Sequence, residues 1–259
     1  MSGESLQYAR MEASVYDQFA ELEDHHFWFR GRREIFFDLL DRELGDRTDR
    51  ELLEVGCGPG GFLGPLQRYG RVFGLDIAHD AMAYCRSRGY ENCITGSGHA
   101  LPFADASFDF VGLFDTIEHI PDDEAVLREV RRVIRPDGCI FISVPAYQFL
   151  YSQNDRLVHH CRRYRRGPLK RLLRKTGFRV TKATYFNTFL FPLILPAVLT
   201  VKLKERLVGL PDEETNLSHE FPGIVNDTFA RFMGSEKLLL RNMSFPFGHS
   251  LIAIARPAT

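Results

Sequence analysis

The sequence predicts a doubly wound α/β fold, a mostly parallel seven-stranded sheet with helices packed on it. Three observations carry this expectation. Between residues 51 and 144, short apolar runs alternate with segments of helical period, the pattern of parallel βαβ units. A glycine-rich turn, Gly56 to Gly61, follows the first apolar run and opens a helix. An acid, Asp76, ends the second run.

Taken in order, residues 16–44 read as helical, with an aromatic break at His25-His26-Phe27-Trp28-Phe29-Arg30-Gly31. The polar linker Asp46 to Arg50 leads into a first strand, Leu52 to Val55. After the glycine turn a helix runs to about Arg68, Arg71 to Leu75 forms a second strand, and a helix covers about 80–88. Asn92 to Thr95 and Phe108 to Phe114 supply the third and fourth strands. Ala125, Val126, Val130, Val133 and Ile134 recur at helical spacing, and Pro136-Asp137-Gly138 is a turn signal before a fifth strand, Cys139 to Val144. A polar connection rich in His and Arg over 145–166 precedes a helix, Pro168 to Thr176, closed by Gly177. A sixth strand runs from Phe178 to about Tyr185, and Ser250 to Ala255 is the last. The expected organisation is a helical segment over 1–50, a core over 51–186, a helical cap inserted over 187–247, and a final core strand over 248–259. Within the cap, helices are expected at about 192–207 and 226–242.

A chain of 259 residues suits one elaborated α/β domain and is short for two independent ones. With 33 Lys plus Arg against 34 Asp plus Glu, nothing points to nucleic acid as a partner. The basic run Arg162, Arg163, Arg165, Arg166, Lys170, Arg171, Arg174 and Lys175 reads as a solvated helical face or an anion-binding surface. The five cysteines, 57, 85, 93, 139 and 161, fall singly. That spacing predicts neither disulfides nor a metal site, and a reducing, cytoplasmic setting. The polar N-terminus lacks the apolar core of a signal peptide. The most apolar stretch, Phe186 to Val201, is broken by Pro192 and Pro196 and is short for a membrane span. It reads as buried cap, with a hydrophobic pocket wall or peripheral membrane contact as the alternatives.

The glycine turn and Asp76 carry the chemistry. Glycines let the backbone approach a ligand where a Cβ would clash, and Asp76 is placed to accept the ribose hydroxyls of a nucleoside. Gly56, Gly58 and Gly61 also satisfy a dinucleotide pattern, so this motif alone leaves the cofactor open between nicotinamide and S-adenosylmethionine. Glu54, at the carboxyl end of the first strand, tips the choice. Beside a pyrophosphate a carboxylate is repulsive; beside a sulfonium and an ammonium it is favourable.

The sequence resembles the class I S-adenosylmethionine-dependent methyltransferases from about Leu52 to Val144. The resemblance rests on LLEVGCGPGGF (52–62), VFGLDIAHDAM (72–82), ALPFADASFDFV (100–111), FDTIEHIPD (114–122) and LREVRRVIRPDGCIFISVP (127–145). It implies a Rossmann-like methyltransferase fold with S-adenosyl-L-methionine as cofactor. It also implies that Gly56, Gly58 and Gly60 approach the cofactor's amino acid portion, that Asp76 binds its ribose, and that Ile77 lies against adenine. Gly98 and His99 would run along the adenine edge, and Phe114 and Asp115 along the cofactor after the fourth strand. Ser97 stands where the family often has an Asp for the adenine amino group; a serine can still accept that bond.

The segment His26 to Arg33 resembles the helix preceding the domain in a subset linked to glycan and lipid pathways, with Trp28 packing on the core or touching substrate. Arg30 or Arg33 is a candidate partner for the cofactor carboxylate. His119, His160 and Tyr164 are the expected proton-handling residues, in segments that also bring Asp155 and His159 toward the site. Arg163 would hold an anionic part of the acceptor. The expected reaction is in-line methyl transfer to a small-molecule, lipid-linked or sugar-bearing acceptor. Its rivals are a nicotinamide-dependent oxidoreductase and a non-catalytic partner protein that keeps the fold. No Asn/Asp-Pro-Pro-Tyr-like motif follows the fourth strand, which argues against a nucleic-acid acceptor.

Overall fold

A computed structural model describes residues 20–208 and 221–258. The beginning of the expected N-terminal helix, residues 16–19, lies outside them. Seven strands form one sheet in the order β3-β2-β1-β4-β5-β7-β6. They are β1 (Arg50–Val55), β2 (Gly70–Asp76), β3 (Cys93–Thr95), β4 (Phe108–Phe114), β5 (Ile134–Pro145), β6 (Phe178–Phe186) and β7 (Ser250–Pro257). The first five pair in parallel, whereas β7 runs antiparallel between β5 and β6. The central strands are buried on both faces: Leu52 and Leu53 of β1 and Phe110 and Val111 of β4 are fully covered. That explains why they read as continuous apolar runs rather than alternating ones. Strand order reverses between β1 and β4, which sets the ligand crevice at their carboxyl ends.

The helices among the described residues are α1 (Phe27–Leu44), the single turn α2 (Leu63–Leu66), α3 (His79–Ser87), α4 (Asp123–Val133), α5 (Gln153–Leu157), α6 (Arg166–Lys175), α7 (Phe191–Val208), α8 (Gly223–Gly234) and the short α9 (Lys237–Leu240). The last three lie between β6 and β7. The expected break at 25–31 is shorter and earlier: a turn and bend over 23–26 separate helical residues 20–22 from α1, and Phe27 to Gly31 are helical. His26 stands at the start of α1, and its ring accepts the Trp28 amide at 3.3 Å. From Phe27 onward the aromatic run is therefore the first turns of a capped helix. The turn expected at Pro136-Asp137-Gly138 lies within β5 instead. Phe108 pairs with Ile134 and Phe110 with Cys139, so residues 135–138 loop out of the ladder as a bulge.

α1 is anchored by Phe36, which is fully buried. Its ring stacks on Phe62 at 5.8 Å and Phe114 at 5.7 Å and meets Phe141 at 5.0 Å. This cluster joins the glycine turn, β4 and β5 to one helix, and removing such a ring costs about 3–5 kcal/mol. α8 crosses α1 closely enough that a Cβ on Gly31 would sit 3.0 Å from Met233. The helix α7 continues past Pro196, and no described helix is long and apolar enough to cross a membrane.

Candidate active site

The carboxyl ends of β1, β2 and β4 open into a cavity of about 620 Å³. α1 walls one side through Trp28, Phe29 and Arg32; α7 walls another through Ile194, Ala197, Val198 and Val201. Trp28 stacks on Phe186 at 6.0 Å, so it both packs on the core and lines the cavity.

The glycine turn lies at its edge. Gly56 (φ +73°) and Gly58 (φ +50°) are both left-handed, but for different reasons. A Cβ on Gly56 would lie 2.4 Å from Thr116 Cγ2, whereas one on Gly58 would meet nothing within 4 Å. Gly56 is demanded by packing; Gly58 leaves open space at the cavity. Gly60 (φ +91°) is not among the lining residues. Its Cβ would fall 3.2 Å from Cys85, Leu63 and Tyr90, so the structure gives Gly60 a packing role where ligand approach was expected.

Asp76 is held by the turn it faces. Its Oδ2 accepts the Gly58 amide at 2.8 Å and its Oδ1 the Ala78 amide at 2.9 Å, and each oxygen keeps a further lone pair. Burial raises its pKa despite these amides. Ile77 stands at the rim, 43% exposed. Ser97, Gly98 and His99 line the same end, with the Ser97 hydroxyl accepting the His99 amide at 3.2 Å.

Glu54 is buried in the cavity wall, and its Oε2 has no hydrogen-bond partner. Burial, reinforced by nearby Glu23, lifts its carboxyl well above the ordinary range, with Arg32 opposing. Glu23, Asp76, Asp115 and Glu118 line the cavity as well. The two arginines on the lining are committed to acids: Arg32 donates to Asp115, and Arg163 forks onto Asp155 at 2.7 and 2.9 Å. A cavity with this charge balance favours a cation over a pyrophosphate.

Arg32 is the residue the sequence reading missed. Arg30 pairs with Asp227 at 2.5 Å and Arg33 with Asp24 at 3.3 Å, and neither lines the cavity. Arg32 does, with its guanidinium 4.6 Å from the Phe29 ring centre and its Nε buried and unbonded. The available signal was its position four residues after Trp28, on one helix face. Asp115, its partner, sits at φ +54° just after β4 and accepts from Ser143 Oγ at 3.2 Å. Phe114 precedes it, its ring 4.4 Å from that of Phe62.

His119, His160 and Arg163 also line the cavity, but Tyr164 does not. The Tyr164 hydroxyl donates to Asp123 at 2.6 Å, and burial together with Asp123 drives the phenol far above its ordinary value. It ties the connection to α4 rather than facing a substrate. Arg163 is likewise corrected. Its side chain is 6% exposed and its fork is taken by Asp155, leaving no paired donors for an anionic acceptor. Burial, and then the neighbouring His160, lower the His119 pKa to about 3. His160 Nδ1 bonds Asp155 Oδ1 at 2.8 Å. Although burial opposes charge on Asp155, the His160 and Arg163 bonds outweigh it and hold that carboxyl well below its usual range. The Cys85 thiol donates to the Gly58 carbonyl at 3.4 Å, behind the turn.

Residues 53–142 match the family described as "Methyltransferase domain". A Mycolicibacterium smegmatis protein named "Probable S-adenosylmethionine-dependent methyltransferase" is 32% identical over 166 residues, covering 61% of this chain and 62% of its own. A "Ubiquinone biosynthesis O-methyltransferase" of Neisseria meningitidis is 27% identical over 150 residues, covering 54% and 61%. The chain thus spans about three fifths of the length of these curated relatives. Among solved structures, one chain of a complex between a Haloferax volcanii methyltransferase activator and a methyltransferase superposes with a TM-score of 0.62 at 17% identity, covering 97% of this chain and all of that one. That likeness shows the fold.

Proposed function

We propose that this chain, which carries a domain of the class I S-adenosylmethionine-dependent methyltransferase family, transfers a methyl group from S-adenosylmethionine to a small-molecule or lipid-linked acceptor by in-line displacement. Glu54 carries this reading. It is a buried carboxylate with an unpartnered oxygen at the carboxyl end of β1, in a cavity whose arginines are already paired. A cationic ligand would restore the interactions that Glu54 lacks, whereas a pyrophosphate would add repulsion.

The residues present fit such a ligand. Asp76, Ile77 and Ser97 to His99 would hold its nucleoside end. Gly58 leaves room for close approach, and Glu54 with the Arg32 Nε would hold the amino acid end. When bound, the sulfonium supplies an already activated methyl group. The protein's task is then positioning and exclusion of water, with the reacting atoms brought to about 3–3.5 Å. The apolar α7 wall suits an acceptor with a hydrophobic body, which an acceptor of the ubiquinone pathway named for the Neisseria relative would present. Trp28 lies on the same lining. An acceptor hydroxyl would lose its proton on the side of Glu118, His119 and His160.

The test is transfer from methyl-labelled S-adenosylmethionine into metabolite and lipid extracts. The reading expects label in a small-molecule or organic-soluble product with wild type and none with Gly58→Val. Adenosylhomocysteine binding with no label in any fraction would instead make the chain a non-catalytic partner protein.

A further inference from the structure

We propose that Glu118, His119 and His160 bind a divalent transition-metal ion at the edge of the cavity. Each offers a ligand-type atom, and these atoms lie within 4.8 Å of one another. The sequence expectation of no metal rested on cysteine spacing; this group comes from two segments 41 residues apart, juxtaposed by the fold.

Glu118 is fully buried, and neither of its carboxylate oxygens has a hydrogen-bond partner. A buried carboxylate in that state is costly. His160 does not relieve it: Nε2 lies 3.9 Å from Glu118 Oε1, beyond hydrogen-bond reach. Metal–ligand bonds of about 2.0–2.2 Å would separate adjacent donors by about 3–3.5 Å. The three side chains therefore need to close by roughly an ångström around an ion.

The surroundings orient the His160 imidazole as a ligand. His160 Nδ1 is held by Asp155 at 2.8 Å, which leaves Nε2 for the Glu118 side. This is the carboxylate–histidine support typical of metal ligands. Asp155 is itself fixed by the Arg163 fork and by the Ser152 amide at 2.9 Å. The His119 and His160 ring centres are 4.6 Å apart. The Cys161 amide donates to the Glu118 carbonyl at 2.7 Å, fastening the two segments together. His159 holds φ +59° beside this group, a conformation of the kind that clusters at functional sites. Two imidazoles and one carboxylate suit zinc, iron or manganese rather than magnesium or calcium.

All three residues line the cavity, so an ion there would keep an open position toward the acceptor. It would bind the acceptor oxygen and ease loss of its proton, with the histidines acting by holding the ion; this role rests on the methyl-transfer reading, whereas ion binding does not.

The experiment strips the full chain with a chelator, then titrates it with Zn²⁺ by calorimetry and with Co²⁺ by visible absorption. The expected result is one equivalent bound at micromolar or tighter affinity, with Co²⁺ absorption bands. Glu118→Gln and His160→Asn should weaken binding at least tenfold, while His159→Asn binds as wild type. No stoichiometric uptake by folded wild type, or equal uptake by all variants, overturns the proposal. Should a ligand variant fail to fold, the wild-type titration and Co²⁺ spectrum still decide. Adenosylhomocysteine is titrated into the stripped protein in parallel. Its failure to bind while Zn²⁺ is taken up removes the methyl-transfer reading and leaves the ion site; the converse removes the ion site alone.

Discussion

At the residue scale, two glycines of one turn have separate duties. Gly56 has no room for a Cβ because Thr116 is fixed over it, its hydroxyl donating to the Val55 carbonyl at 3.0 Å. Gly58 has the room but adopts a conformation costing an L-residue about 1–2 kcal/mol. Gly58→Ala is therefore expected to lower stability by about that amount and to weaken adenosylhomocysteine binding. Gly56→Ala should destabilise the fold more. Thermal melts paired with calorimetric titration check this; equal melting losses in both variants would contradict the assignment. Sequence spacing marked both glycines but could not separate them, because the distinction lies in Thr116, 60 residues away. Asp76 and Glu54 were legible because strand ends in this topology fix where a carboxylate sits. Arg32 was not, because three arginines within four residues look alike until the helix phase is known. Tyr164 and Arg163 were misread for a related reason: each is saturated by an acid, Asp123 and Asp155, that only the fold brings near.

At the scale of elements, Glu236, between α8 and α9, ties the later part of the cap to its first residues after β6. Its Oε1 accepts the Thr188 and Phe189 amides at 2.6 and 2.7 Å. Burial outweighs these bonds and pushes the carboxyl up to about 7 from an ordinary 4.5. The folded state thus keeps a proton that the unfolded chain releases, so stability should fall as pH rises from about 4.5 to 7 and level off above. At about 1.4 kcal/mol per pKa unit the loss is roughly 3 kcal/mol. Urea midpoints between pH 5 and 8 should fall in wild type and fall less steeply in Glu236→Gln, where buried Glu54 still contributes a slope of the same sign; an unchanged slope in the variant would assign the effect elsewhere. The strands were readable from their apolar runs, since β1, β4 and β5 are buried on both faces. Two boundaries were not. Phe27 to Gly31 looked like a break because its aromatics face both the core and the cavity, which blurs helical period. Pro136-Asp137-Gly138 has turn chemistry, and the fold accommodates it as a bulge inside β5 rather than as the end of a helix.

At the scale of the molecule, the sheet reversal between β1 and β4, the α1 wall and the α7 wall enclose one cavity with acids along its lining and an apolar side. The reversal and the glycine turn follow from sequence pattern. The charge balance does not, because it depends on which arginines are already paired. That balance is the central claim: the cavity accepts a sulfonium cofactor and rejects a pyrophosphate. It is tested most directly by titrating the full chain, in one calorimetric series, with S-adenosylmethionine, adenosylhomocysteine and NAD. The account predicts saturable binding of the first two and none of NAD. It further predicts that Glu54→Gln weakens S-adenosylmethionine binding by about 1.5–3 kcal/mol, the worth of one charge-assisted contact. Binding of NAD with no binding of S-adenosylmethionine, or unchanged affinity in Glu54→Gln, would contradict it.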